Sequence, residues 1–180
     1  ISDALCTKEP ENLAHRRDLG IALNNVGRVL ENKGDNDGAL ALFSKSQAIS
    51  EELCTKEPEN LAHRRELGIA LNNVGRVLEN QGDNDGALAL FSKSQAIIEE
   101  LCTKEPENLA HRRELGITCF WVGKMLANLS RWQESAEAFE QAIKATQAVI
   151  DAGGSFGSLN ADLDAMTSWL QHVRDQINKK

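Results

Sequence analysis

The chain has 180 residues, a formal net charge of −7 and a hydrophobic share of 41%. That acidity excludes nucleic acid as the main partner, because phosphate binding needs a basic face. No run approaches the ~18 consecutive apolar residues of a membrane span, and five Phe, three Trp and no Tyr imply a core of Leu, Val, Ile and Ala.

The opening nine residues, ISDALCTKE, line up with Ile49–Glu57, so residues 1–4 read as the tail of a preceding unit and that end exposes a stacking surface. A unit of 48 residues then runs from Leu5 to Glu52. Leu53–Glu100 repeats it with three changes: Glu66 for Asp18, Gln81 for Lys33 and Ile98 for Ser50. Leu101 begins a third copy that matches the second through Ile117 and then diverges.

Each unit reads as two helices. Pro10 ends what precedes it and Asn12 caps the next helix. Leu19, Leu23, Val26 and Leu30 recur on one face of that helix, 13–32, which is roughly 30 Å long. Gly34 suits a left-handed turn, and Asp35 or Asn36 caps the second helix, 36–55. Its inward face is Ala39, Leu42, Phe43, Ser46, Ile49 and Leu53. Short turns make the two helices antiparallel. The same reading gives helices at 61–80, 84–103, 109–128 and 131–150. Trp132, Ala136, Phe139, Ala142 and Ile143 lie on the last of these. A glycine-rich linker, 151–158, leads to Ser158 as the cap of a final helix, 159–178. Leu159, Leu163, Met166, Leu170, Val173 and Ile177 form its apolar stripe.

A lone hairpin cannot bury both apolar faces, whereas stacked copies can. The fold class is therefore all-α, an α-solenoid of three antiparallel hairpins with a C-terminal capping helix. The expected organisation is a single repeat domain, 1–180: tail 1–4, units 5–52, 53–100 and 101–150, linker 151–158, and capping helix 159–180.

With Val26-Gly27, Leu30, Gly34, Ala39 and Phe43 in register, the unit resembles a tetratricopeptide repeat (TPR). The usual TPR unit is about 34 residues; the longer unit here is similar to those of kinesin light chain and the asparagine-rich cell-polarity adaptors. In those relatives an Asn before the hydrophobic-Gly pair faces a concave groove and holds the backbone of a bound peptide. The corresponding residues here are Asn25 and Asn73, and Trp121 takes the place in the third unit. The resemblance implies a right-handed superhelix and a non-catalytic interaction scaffold.

The residues expected to line that groove are Arg17, Asn24, Asn25, Arg28, Arg65, Asn72, Asn73, Arg76, Arg113, Trp121 and Lys124. Asn donates to and accepts from a peptide backbone, and Arg clamps carboxylates in a fork, so the ladder suits an extended, acidic protein or peptide ligand. Two further readings are homotypic assembly through the open N-terminal end and the regulatory arm of a larger enzyme.

No catalytic residue, metal site or cofactor is expected. His15, His63 and His111 belong to separate units and suit packing, since a structural zinc needs four ligands. Gly34–Gly38 would need acidic residues at positions 33 and 44 to be a calcium loop; these are Lys33 and Ser44, so the run reads as turn and cap chemistry. Cys6, Cys54 and Cys102 recur about 10 Å apart if helices pack normally, too far for disulfides; with Cys119 they read as buried thiols of a cytoplasmic, reducing compartment.

Overall fold

The computed structural model describes residues 12–155, 157 and 159–179. The tail at 1–4, Cys6, Pro10 and the Ser158 cap lie outside the described residues. The described elements are α1 (Leu13–Asn32), α2 (Asn36–Lys56), α3 (Leu61–Asn80), α4 (Asn84–Lys104), α5 (Leu109–Asn128), α6 (Trp132–Asp151) and α7 (Leu159–Ile177). The fold is all-α and TPR-like. Every helix falls where the sequence predicts it, to within one residue at either end. The helices group into two compact units, Ile1–Asp83 and Asn84–Lys180.

The caps explain the sharp boundaries. Asn60 Oδ1 accepts from the backbone N–H of Ala62 and His63, at 3.1 and 3.4 Å. Asn12 and Asn108 do the same for α1 and α5. Asp35 Oδ1 accepts from Gly38 N–H at 2.9 Å, which assigns the Gly34–Gly38 run to turn and cap chemistry. Gly34 and Gly82 sit at φ +81° and +84° after α1 and α3. In the third unit Ser130 holds the same left-handed position at φ 59°, a conformation that costs an L residue about 1–2 kcal/mol.

In the first compact unit α2 packs against α1 and α3. Ala39, Phe43, Ser46, Ser50 and Leu53 form the buried face of α2. Phe43 lies flat against Gly27: a Cβ there would sit 2.6 Å from the ring. Ser46, fully buried, donates its hydroxyl to the Gly20 carbonyl at 2.9 Å. Leu19, Leu23 and Leu30 are half-buried. Val26, on the same face by its spacing, is 52% exposed, and Val29 is 51% exposed. The stripe is wider than the surface that α2 and α3 cover.

In the second compact unit α6 packs between α5 and α7, and α4 packs on α5. Phe139 repeats the ring-on-glycine contact at Gly123, 3.0 Å from an added Cβ. Phe139, Ala127 and Ala136 join Leu170 and Val173 of α7 in one core cluster. Cys119, Ala142 and Met166 form a second. Trp169, which the predicted stripe of α7 omits, stacks on Phe139 with centroids 5.9 Å apart.

The two glycines of α1 predict opposite responses to alanine. At Gly27 the new methyl collides with a fully buried ring, so Gly27→Ala should destabilise by roughly 1–2 kcal/mol despite better helix propensity. At Gly20 the nearest atom is 3.5 Å away, so Gly20→Ala should stabilise by roughly 0.5–1 kcal/mol. Urea denaturation of both variants measures this; equal signs would contradict the packing argument.

Candidate functional site

The expected ligand-contacting residues fall into two sets. On the first compact unit, Asn24 and Asn73 are both nearly fully buried, 5% and 4% exposed. They meet across α1 and α3, Asn73 Nδ2 donating to Asn24 Oδ1 at 3.1 Å. Arg76 forms a two-pronged pair with Glu31, Nε to Oε1 at 3.2 Å and Nη2 to Oε2. Arg17 reaches Glu66 of α3 at 3.5 Å. Arg65 and Asn72 are half-buried, whereas Asn25 and Arg28 are exposed. The neighbouring helix, not spacing, explains the split, since Asn25 and Arg28 are three apart as well. Asn73 and Arg76 lie on the edge of α3 that faces α1.

On the second compact unit the divergence of the third repeat builds a different surface. Trp121 stacks on Phe91 with centroids 5.7 Å apart and planes 14° from parallel. Phe120 meets Trp121 edge-on at 5.7 Å and packs on Phe139 at 5.8 Å. The Lys124 ammonium stands 4.9 Å over the Trp121 ring, a cation–π contact. This shelf borders an open cleft of about 250 Å³ lined by Arg113, Ile117, Phe120, Trp121, Asp162 and Met166. The structure thus brings Arg113, Trp121 and Lys124 to one surface. The sequence reading missed Phe91, Ile117, Asp162 and Met166 there. The simultaneous change of Asn72-Asn73 to Phe120-Trp121 was the available signal.

A second cleft of about 430 Å³ includes Cys102, Arg112, Leu115, Cys119, Lys144 and Ala145 in its lining. Cys119 and Ala145 stand where the second repeat has Leu71 and Ile97, and the lost side-chain volume opens it.

His63 and His111 belong to a clasp that joins hairpins. His63 Nε2 lies 2.9 Å from Glu57 Oε2, and Asn60 Nδ2 donates to the same carboxylate at 2.8 Å. Those bonds, Asn60 first and His63 next, hold the Glu57 carboxyl below the usual carboxylate range. His111 faces Glu105 in the next copy. Among the described residues no three His, Cys, Asp or Glu side chains gather as a metal site. Nor is any helix there long and apolar enough to cross a membrane.

Comparison with known proteins supports the repeat type. The tetratricopeptide repeat model matches residues 67–102. The corresponding first-repeat run, 19–54, differs from it at two positions, Lys33 and Ser50. The chain carries a tetratricopeptide repeat at 67–102, on a TPR-like fold. The Sgt2 TPR domain from Aspergillus fumigatus superimposes with a TM-score of 0.53 at 18% identity, over 89% of this chain and 80% of that one. That likeness concerns the fold alone. A de novo designed helical repeat protein aligns over 99% of this chain and 92% of its own, at 12% identity and a TM-score of 0.39. No curated protein matches the sequence.

Cysteine chemistry in this TPR chain is suppressed by packing. Burial raises the thiol pKa of Cys54 and Cys102 and pushes that of Cys119 up to about 12. At pH 8 iodoacetamide should therefore modify Cys54 and Cys102 slowly and Cys119 slowest of the three, the Cys119 rate rising only as pH approaches that of its thiolate. Mass spectrometry of tryptic peptides reads the order; rapid alkylation of Cys119 at pH 8 would contradict it.

Proposed function

We propose that the chain binds an extended, acidic segment of another protein, and that the third repeat supplies the principal anchor. TPR proteins are typically non-catalytic scaffolds, and the fold generally mediates protein–protein interaction. The finer reading rests on one observation: Arg113 shares an open cleft with the aromatic shelf of Phe120 and Trp121. An apolar side chain of the segment sits against Ile117, Trp121 and Met166. A neighbouring carboxylate pairs with Arg113, a fork suited to that geometry. Lys124, held over Trp121, adds positive charge at the rim. Buried aromatics and Arg are the residue types that dominate binding energy at interfaces.

The ladder of the first two repeats enters the proposal differently. Asn24, Asn73 and Arg76 already bond to neighbours in the same unit, so a peptide backbone reaching them exchanges those bonds for its own. The free thiols of Cys54, Cys102 and Cys119 support placement in a reducing, cytoplasmic setting.

Selection of displayed random peptides on the immobilised chain tests the reading. Enriched peptides should pair an apolar or aromatic residue with Asp or Glu. Arg113→Gln should weaken a selected peptide about tenfold, roughly the value of a charged hydrogen bond. Asp162→Asn, which removes a rival carboxylate from the same cleft, should tighten it. Undiminished affinity for Arg113→Gln combined with Trp121→Ala, measured by calorimetry on folded protein, would refute the assignment.

A further inference from the structure

The cleft of about 430 Å³ lies wholly within the second compact unit. α4 and α6 wall it and α5 forms its floor: Cys102 stands on one wall, Ala145 and Ala148 on the other, and Leu115 and Cys119 beneath. Several of its positions differ together from the second repeat. Leu71, Ile97 and Glu100 there are Cys119, Ala145 and Ala148 here, so two branched side chains and a carboxylate are lost. Ala96 becomes Lys144, which adds an ammonium at the rim, and Lys93 becomes Gln141. The result is an emptied, apolar slot with an altered set of charges.

Those charges are ordered along the slot. Arg112 and Cys119 are seven apart, two helical turns or about 10 Å, so they mark opposite ends of the floor. Arg112 Nη2 donates to the Pro106 carbonyl at 2.8 Å, which anchors the guanidinium at its end. At the other end the Cys119 thiol donates to Gln141 Oε1 at 3.8 Å. Burial pushes both thiols up in pKa; after burial, the charge that acts on Cys102 is that of Arg112, and on Cys119 that of Glu99. Lys144 stands one turn from Ala148 on the α6 wall. Two cations thus face one carboxylate, Glu99, across a floor without charge. Mostly apolar clefts of roughly 300–1,000 Å³ with a few convergent polar groups are typical of small-molecule sites. A stable protein interface buries roughly 800 Å² on each partner, more than a slot two helical turns long presents.

We propose that this slot binds a small anionic amphiphile, an unbranched aliphatic carboxylate whose head sits between Arg112 and Lys144 and whose tail runs over Leu115 and Ala145 towards Cys119. The head accepts charge-assisted hydrogen bonds from both cations. The tail takes up the volume given up at Cys119 and Ala145, and an extended chain about two helical turns long spans the floor. The slot shares no lining residue with the Trp121 cleft. Arg112, Leu115 and Cys119 here, and Arg113, Ile117 and Trp121 there, fall on different faces of α5 by helical spacing. The inference therefore stands apart from the peptide reading.

Calorimetric titration of the 180-residue chain with sodium octanoate tests it. One octanoate should bind per chain. Hexanoate, shorter by two methylenes, should bind on the order of tenfold more weakly. Octanol and octylamine, which lack the carboxylate, should lose at least about tenfold as well. Bound octanoate should slow iodoacetamide at Cys102 and leave the Cys54 rate unchanged, read from tryptic peptides by mass spectrometry. Ala145→Ile and Ala148→Glu each restore the second repeat's residue, so they test volume and charge separately with side chains that a neighbouring repeat already accommodates. Each should weaken octanoate on the order of tenfold while the circular dichroism of the folded chain is retained. Lys144→Ala should do the same and Lys144→Arg should keep binding. No saturable binding at millimolar octanoate, octanol bound as tightly as octanoate, or undiminished affinity in folded Ala145→Ile or Ala148→Glu would overturn the proposal.

Discussion

A phenyl ring laid against a glycine closes the α1–α2 and α5–α6 hairpins. Phe43 covers Gly27 and Phe139 covers Gly123, each ring fully buried. A mid-helix glycine costs about 1 kcal/mol relative to alanine, while burying a Phe side chain returns roughly 1.5–3 kcal/mol. The exchange is favourable only if the ring actually reaches the backbone, which fixes how closely the two helices approach. Everything displayed on the outer edges of α1 and α5 inherits its position from that contact. The serine hydroxyls reinforce it: Ser46 donates to the Gly20 carbonyl and Ser135 to the Gly123 carbonyl, both from buried positions. These bonds satisfy groups whose loss would leave a buried carbonyl and hydroxyl poorly paired.

Identical residues then acquire different roles according to where their repeat stands. Asn73 is a buried donor and Asn25 a solvated amide, although their sequence neighbours are the same. Arg76 grips a carboxylate while Arg28 faces water. The third repeat departs further by replacing the polar pair with rings. Phe91, Trp121, Phe120, Phe139 and Trp169 touch in succession, each centroid 5.7 to 5.9 Å from the next. Five of the eight Phe and Trp residues in the chain are spent on this one ladder, so the scarcity of aromatics elsewhere reflects concentration rather than absence.

This distribution explains what could be read from the sequence. Helix boundaries were legible because Asn12, Asn60, Asn108, Gly34 and Gly82 encode caps and turns locally. The ring-on-glycine contact was legible because its spacing recurs. The fate of the Asn and Arg ladder was not. Residue type assigns Asn25 and Asn73 the same chemistry, and only the presence of Asn24 opposite one of them separates the two. The exposure of Val26 was not legible for the same reason. Periodicity identifies an apolar edge and is silent on whether a neighbour covers it. Trp169 escaped notice because it stands beside, not within, the stripe of α7, reached by the ring of Phe139 rather than by the aliphatic core.

The contrast between a polar edge and an aromatic one carries a direction. An edge built from one amide bond and one ion pair can be met by any repeat that keeps Asn and Glu in register, because the two halves sit on the same helix sequence. Such an edge tolerates further copies, and its polar groups tolerate water when no copy is present. The edge at Phe120 and Ala127 does neither. It has exchanged its hydrogen-bonding groups for apolar surface, which must be kept from water and is met by Leu170 and Val173 of α7. The polar edge therefore keeps groups that water can satisfy, whereas the aromatic edge is satisfied by α7. Duplication of nearly identical repeats on the N-terminal side, with divergence confined to the C-terminal one, is the sequence pattern that this asymmetry permits.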